Sequence, residues 1–302
     1  MHLRWRVTSV RTNAIHELAS SFSRVHQLPR LETVNLTFYP VYDNLLDTDG
    51  RGRLALQASI LGALTASFSV SAPPKLTSLS LHNLRTWELL PLESAPFQTV
   101  LTTLRRLQLS VLYDHAPDPF TFSARWFHFW GTFCPRMVLA PTQHALTELT
   151  LHSNARVGAS SGLSFAGLHF PHLCALSLRG LVFQPSVGLE PFVLRHAATL
   201  AQLELLGCKL PAPTDTPLSQ SPFIRDGESS SRPGGWDRIW DRFAAELTAL
   251  VTLHVDSECR YIELVFFGEI DVHESRNVAD AAALRRFHIT VAARSDKTRG
   301  KS

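Results

Sequence analysis

Leucine returns along the chain in the order L-x-x-L-x-L: Leu76, Leu79 and Leu81; Leu104, Leu107 and Leu109; Leu146, Leu149 and Leu151; Leu173, Leu176 and Leu178; Leu200, Leu203 and Leu205. Two apolar residues separated by one polar residue have the period of a strand with one face buried. The middle leucines Leu149, Leu176 and Leu203 lie 27 residues apart, and Leu79 lies 28 before Leu107. Weaker copies extend the series at Leu31, Val34 and Leu36, at Leu250, Leu253 and Val255, and at Leu284, Phe287 and Ile289. The other steps between units are 45, 42, 50 and 34 residues, which requires insertions between strands.

Such periods predict an α/β fold of a particular kind, an irregular leucine-rich-repeat solenoid. A curved parallel sheet then lines the concave side, with helices and loops on the convex side. The position three residues after the last leucine of a unit holds Asn154 and Cys208 in two units, where a polar side chain bonds free carbonyls of the neighbouring turn. Leu84, Leu112 and Leu181 hold it in three others, where packing must replace that bond. Buried strands of another α/β fold would leave a similar pattern.

Between the strands, residues 53–67 place Leu54, Ala58, Leu61 and Leu64 on one side of a helix. Residues 192–200 follow Glu190-Pro191, a suitable helix opening, and residues 236–250 carry the stripe Trp236, Ile239, Trp240, Phe243 and Leu247. RWFHFWGTF (125–133) sets Trp126 and Trp130 four apart, facing one way if helical, where burial against the adjoining repeat competes with partner anchoring. YIELVFFGEI (261–270) reads as one strand. The expected organisation is a lead-in at 1–27, a repeat domain at 28–292 with a flexible Pro- and Ser-rich insertion at 211–235, and a disordered tail at 293–302.

With 45% hydrophobic residues, 18 Phe and 6 Trp in 302 residues, the chain can bury a substantial core. A net charge of +3 without a run of five like charges gives no support to nucleic-acid binding. No signal peptide and no window of 18 apolar residues is seen, so no membrane partner is expected and the location expected is cytoplasmic or nuclear. The four cysteines lack C-x-x-C spacing, which suits reduced thiols, and the Asn35-Leu36-Thr37 sequon is then idle.

Chemistry-bearing motifs are scarce. Gly300-Lys301-Ser302 lacks the upstream glycine and following helix of a phosphate loop. His169 and His172 flank Pro171 with no third ligand near in sequence, so no metal site is assigned. G-x-S-x-G and H-E-x-x-H are absent, and no cofactor is expected. A hidden thiol enzyme would need Cys134, His128 and a carboxylate to cluster.

What remains is the face opposite the leucines, lined by the residues between them. It comprises Ser78, Ser80 and His82, then Arg106, Gln108 and Ser110, then Glu148, Thr150 and His152. Ala175, Ser177 and Arg179 follow, then Gln202 and Glu204, then Thr252, His254 and Asp256. This surface is polar, mixed in charge and rich in histidine, which suits a protein partner with a complementary charge mosaic. Each of these residues is also an ordinary solvated strand position.

LETVNLTF (31–38), LTSLSLHNL (76–84), LTELTLHSN (146–154), LHFPHLCALSLRGLVF (168–183), FVLRHAATLAQLELLGCKL (192–210) and WDRIWDRFAAELTAL (236–250) together resemble the leucine-rich half of F-box proteins from mushroom-forming fungi, over residues 5–292. That resemblance implies a non-enzymatic substrate receptor, whose repeats hold a protein for ubiquitination while an F-box docks on the Skp adaptor of a cullin-RING ligase. Here Leu28-Pro29 runs straight into the first repeat strand with no F-box before it, so adaptor binding is not expected from these residues. The alternative is a repeat-only scaffold or inhibitor without a ligase. The chain is expected to be a monomer, with an uncapped N-terminal edge through which it could self-associate.

Overall fold

A computed structural model of the protein describes residues 2–7, 17, 19–28, 30–38, 51–70, 75–86, 89–113, 124–158, 162–211, 235–265, 268–271 and 278–299. Its strands are β1 (His2–Val7), β2 (Thr33–Phe38), β3 (Ser78–Arg85), β4 (Arg106–Leu112), β5 (Glu148–Val157), β6 (Ala175–Leu181), β7 (Gln202–Leu206), β8 (Lys209–Pro211), β9 (Thr252–Val255), β10 (Arg260–Val265) and β11 (Gly268–Asp271). Eight of them form one sheet in the order β1-β2-β3-β4-β5-β6-β7-β9, with every neighbouring pair parallel. The protein is thus an α/β fold in which each strand from β2 to β7 lies beside the strand before it in the chain.

The leucine spacing produces this register directly. Val34, Leu79, Leu107, Leu149, Leu176, Leu203 and Leu253 pair in one continuous row. The row two residues on holds Leu36, Leu81, Leu109, Leu151, Leu178, Leu205 and Val255. The entry leucines Leu31, Leu76, Leu104, Leu146, Leu173, Leu200 and Leu250 are wholly buried. A one-residue slip in any strand would turn its leucines to the polar side, so burial fixes the register.

The turns that lead into the strands are stacked by a repeated backbone bond. The carbonyl of Glu32 accepts the N–H groups of both Thr77 and Ser78, at 2.9 and 3.0 Å. Thr77, Arg105, Thr147, Cys174 and Ala201 each offer a carbonyl to two successive N–H groups of the next turn in the same way. Thr77 and Thr147 add their hydroxyls to the carbonyls of Glu32 and Arg105. The loops therefore satisfy their polar groups against each other instead of against water.

Packed with the leucines in one core are α1 (Arg51–Val70), α2 (Ala95–Leu101), α3 (Ala124–His128), α4 (Leu189–Arg195), α5 (Trp236–Glu246) and α6 (Val278–Arg299). In α1, Ile60, Leu61, Leu64 and Phe68 are buried. From α3 the chain continues as a π-helical run, Phe129–Leu139, that contains Pro135. Proline offers no N–H to an α-ladder, and a widened turn accommodates that gap. Trp126 and Trp130, four apart as expected of a helical stretch, are buried edge-to-face at 5.8 Å between ring centroids. The helix expected at 192–200 instead begins at Leu189 behind Gly188, whose φ of 69° turns the chain in, and it ends at Arg195.

Four expectations need correction. Leu284, Phe287 and Ile289 are not a strand; they lie in α6, where Ala283, Phe287 and Val291 recur every four residues on the buried side. The alanine-rich surroundings favour the helical reading of a spacing that fits both periods. The same helix carries the chain through residues 293–299, assigned above to a disordered tail, and Arg294 anchors it by donating to the carbonyls of Leu247 and Ala244, both at 2.6 Å. The single strand expected at 261–270 is two, β10 and β11, paired antiparallel, and β10 also pairs parallel with β8 in a separate three-stranded sheet. The lead-in at 1–27 supplies β1, which covers the edge of β2. The insertion at 211–235 falls, between Pro211 and Gly235, outside the described residues.

Candidate functional site

The polar face of the eight-stranded sheet collects the site residues singled out above except Asp256, which follows the end of β9. Because the register is continuous, these side chains form rows that cross the strands. The first row runs Thr33, Ser78, Arg106, Glu148, Ala175, Gln202 and Thr252, and the second Asn35, Ser80, Gln108, Thr150, Ser177, Glu204 and His254. A third holds Thr37 opposite His82, and Ser110, His152, Arg179 and Leu206 in succession.

Hydrogen bonds tie parts of these rows together. Ser177 on β6 donates to Glu204 Oε2 on β7 at 2.5 Å, and Glu204 Oε1 lies 2.9 Å from His254 Nδ1 on β9. His152 Nε2 on β5 lies 2.9 Å from Ser177 Oγ. A hydroxyl has one proton, and the carboxylate takes it, so His152 donates Nε2–H and keeps a lone pair on Nδ1. A chain of four side chains thus spans β5, β6, β7 and β9. Ser80 donates to Gln108 at 3.4 Å, and Arg106 pairs with Glu148 at 3.1 Å.

Electrostatics follow from this arrangement. The Ser177 hydroxyl bond, more than any other influence, holds the Glu204 carboxyl below its ordinary range. Burial, reinforced by the Arg179 guanidinium on the adjacent strand, lowers the pKa of His152, and His82 adds to the same effect. Beyond β9, burial and then the neighbouring His254 lower His288 on α6.

The remaining residues are separate from the chain of four. Asp256 spends its carboxylate on backbone, accepting the N–H of Gly207 at 2.9 and 3.0 Å and that of Glu258 at 3.1 Å. Gln202 is exposed and Thr150 half-buried, each without a side-chain bond among the described residues. Arg179 is exposed and has no hydrogen-bond or ion-pair partner among them. The face also includes β2, whose alternation in LETVNLTF carries the same signal; Asn35 there buries its Oδ1 without a partner among the described residues. His288 was not identifiable from a misread strand.

The polar position after each strand works in more ways than the spacing implies. Cys208 Sγ lies buried 3.6 Å from the Leu178 carbonyl, and Cys259 repeats the contact one turn on, 3.5 Å from Leu205. Asn154 is exposed and holds the Tyr113 N–H at 2.6 Å. Where Leu84 was read as an apolar replacement, Asn83 one residue earlier donates to the Phe38 carbonyl at 2.8 Å. Its φ of 58° and the register shift after Leu81 bring it there.

Elsewhere, Cys134 is fully buried and its thiol is pushed up to about 12 by burial, with no hydrogen bond to His128, which is exposed. The thiol cluster considered above is not assembled. Among the described residues no group of three or more His, Cys, Asp or Glu side chains is placed to hold a metal ion. No described helix is long and apolar enough to cross a membrane. Comparison with known proteins returns no matching family model, no matching curated protein and no matching solved structure.

Proposed function

We propose that the chain is a leucine-rich-repeat solenoid and a non-enzymatic protein-recognition module, whose polar sheet face is the concave surface that receives a protein partner. The observation that carries this reading is the ordered polar face itself: seven described strands present in-register side chains of both charges, several already fixed by cross-strand bonds. Side chains held in place before binding lose less entropy on association. The more specific form of the proposal is a substrate receptor of the F-box kind, holding a protein for ubiquitination.

A repeat-only scaffold or inhibitor is the second reading. It draws on the same ordered face and needs no adaptor, and β1 commits residues 2–7 to the sheet. One experiment separates the two. The chain and its Glu148→Ala, His152→Ala, Arg179→Ala triple variant are used as baits in lysate of a mushroom-forming fungus and read by mass spectrometry. A partner held by the parent and lost by the variant supports recognition through this face; Skp and cullin among the proteins retained supports the receptor form. Equal recovery by both baits would count against recognition through this face.

A further inference from the structure

We propose that Arg179, with His152 beside it, is the subsite for one acidic side chain, Asp or Glu, of the protein partner. This deepens the proposed recognition role and rests on it.

The charge pattern of the face leads there. Glu148 is paired with Arg106, Glu204 is held by Ser177 and His254, and Asp256 is held by backbone N–H groups. Arg179 alone among these charged residues keeps all its donors unengaged, and it stands in the third row, where the register places no carboxylate among the described residues. A planar guanidinium with paired N–H donors matches a carboxylate in two-point contact. A polyanion fits poorly, because Glu148 and Glu204 stand on the strands to either side of β6. One carboxylate arriving above Arg179 meets complementary charge without crowding those two.

His152 makes the contact responsive to protons. It faces Arg179 in register, with His82 and Glu204 also acting on it and His254 beyond Glu204. With Nε2–H committed to Ser177, protonation adds a donor only at Nδ1. Burial first and the Arg179 guanidinium second hold His152 neutral; a carboxylate bound to Arg179 offsets the second of these, so His152 takes up a proton from solvent as the anion docks. Affinity then rises as pH falls through the range in which the free protein's His152 is still neutral.

The test uses a random-peptide phage library panned on the full chain, followed by calorimetry with the enriched peptide at about pH 6 and about pH 8. The expected peptide carries an Asp or Glu at one fixed position. Arg179→Gln lowers its affinity about tenfold. Replacing the peptide's acid with its amide has the same effect, and the two changes together cost little more than either alone. His152→Gln removes the proton uptake seen by comparing buffers of different ionisation enthalpy. Peptides that bind through Glu148 or Gln202 but show no fixed acid, or are indifferent to Arg179→Gln, overturn the subsite and leave the recognition face standing. Peptides indifferent to every substitution on the face, or a library with no enriched sequence, overturn both.

Discussion

Ser177 and Glu204 face each other across the β6–β7 pair with 2.5 Å between Oγ and Oε2, the shortest link in the hydrogen-bonded chain of the polar face. Since this bond is the largest influence on the Glu204 carboxyl, its removal has a defined signature. In Ser177→Ala the Glu204 carboxyl returns upward toward its ordinary value of 4.5. Carbon-detected NMR titration of the side-chain carboxyls reads this directly. An unchanged titration midpoint would mean that the hydroxyl does not donate to Glu204.

His196 predicts a pH dependence of stability. Its ring lies buried, with Nδ1–H donating to the Phe192 carbonyl at 2.8 Å and Nε2 accepting the Phe170 N–H at 3.0 Å, and burial lowers its pKa from 6.5 to about 4. The unfolded chain therefore takes up this proton first as the medium is acidified. The contribution is complete above pH 6.5 and is lost as pH falls toward about 4, a change of about 3 kcal/mol. His196→Leu should abolish that part of the slope while costing about 1–3 kcal/mol at neutral pH, because Phe170 loses its acceptor. Urea unfolding at a series of pH values measures both.

Gly180 and Gly167 separate backbone strain from steric conflict. Both have left-handed φ, 72° and 78°. A Cβ on Gly180 would lie 2.7 Å from the Ser153 carbonyl oxygen and 3.2 Å from that of Ala155, where the irregular end of β5 crosses close to β6, whereas Gly167 has nothing within 4 Å. Gly180→Ala is expected to destabilise by about 2–5 kcal/mol, and Gly167→Ala by only about 1–2 kcal/mol. Chemical denaturation of the two variants tests the difference, and equal losses would place no conflict at β5.

Thiol accessibility gives a fourth prediction. Of the four cysteines, only Cys174 is exposed; Cys134 and Cys208 are buried, and the half-buried Cys259 has its thiol pKa raised, first by its hydrogen bond with Cys208 and then by burial. Brief alkylation of the folded protein at mildly basic pH should give one adduct, on Cys174, and unfolding should release the others. Peptide mapping identifies the site, and early labelling of Cys134 would contradict its packing.

The strands were legible because their signal is redundant. Each of β3 to β7 carries two buried leucines and an entry leucine, and the same triplet recurs in the neighbour that it pairs with. The polar face followed from alternation alone, which is why His152, Ser177, Glu204 and His254 were identified individually. Their connection was not legible, since whether Ser177 bonds to β5, to β7 or to water depends on rotamers. The strand misread at Leu284, Phe287 and Ile289 shows a local pattern serving two periods, and packing of Phe287 against Trp240 and Phe243 decides for the helix. The partnership of β8 with β10 lay beyond pattern reading, because Lys209–Pro211 is three residues long and has no alternation to display.

The order of the strands also bears on how the chain is made. From β2 to β7, each strand finds the edge it needs already synthesised, so the sheet can lengthen one strand at a time as the polypeptide leaves the ribosome. That progression stops at β8, which must wait for β10, while β7 stays an open edge until β9 arrives. A nascent chain halted between Pro211 and Thr252 would expose the β7 edge, a template for pairing with another chain. The stretch of translation between those two points is where assistance from a chaperone would matter most.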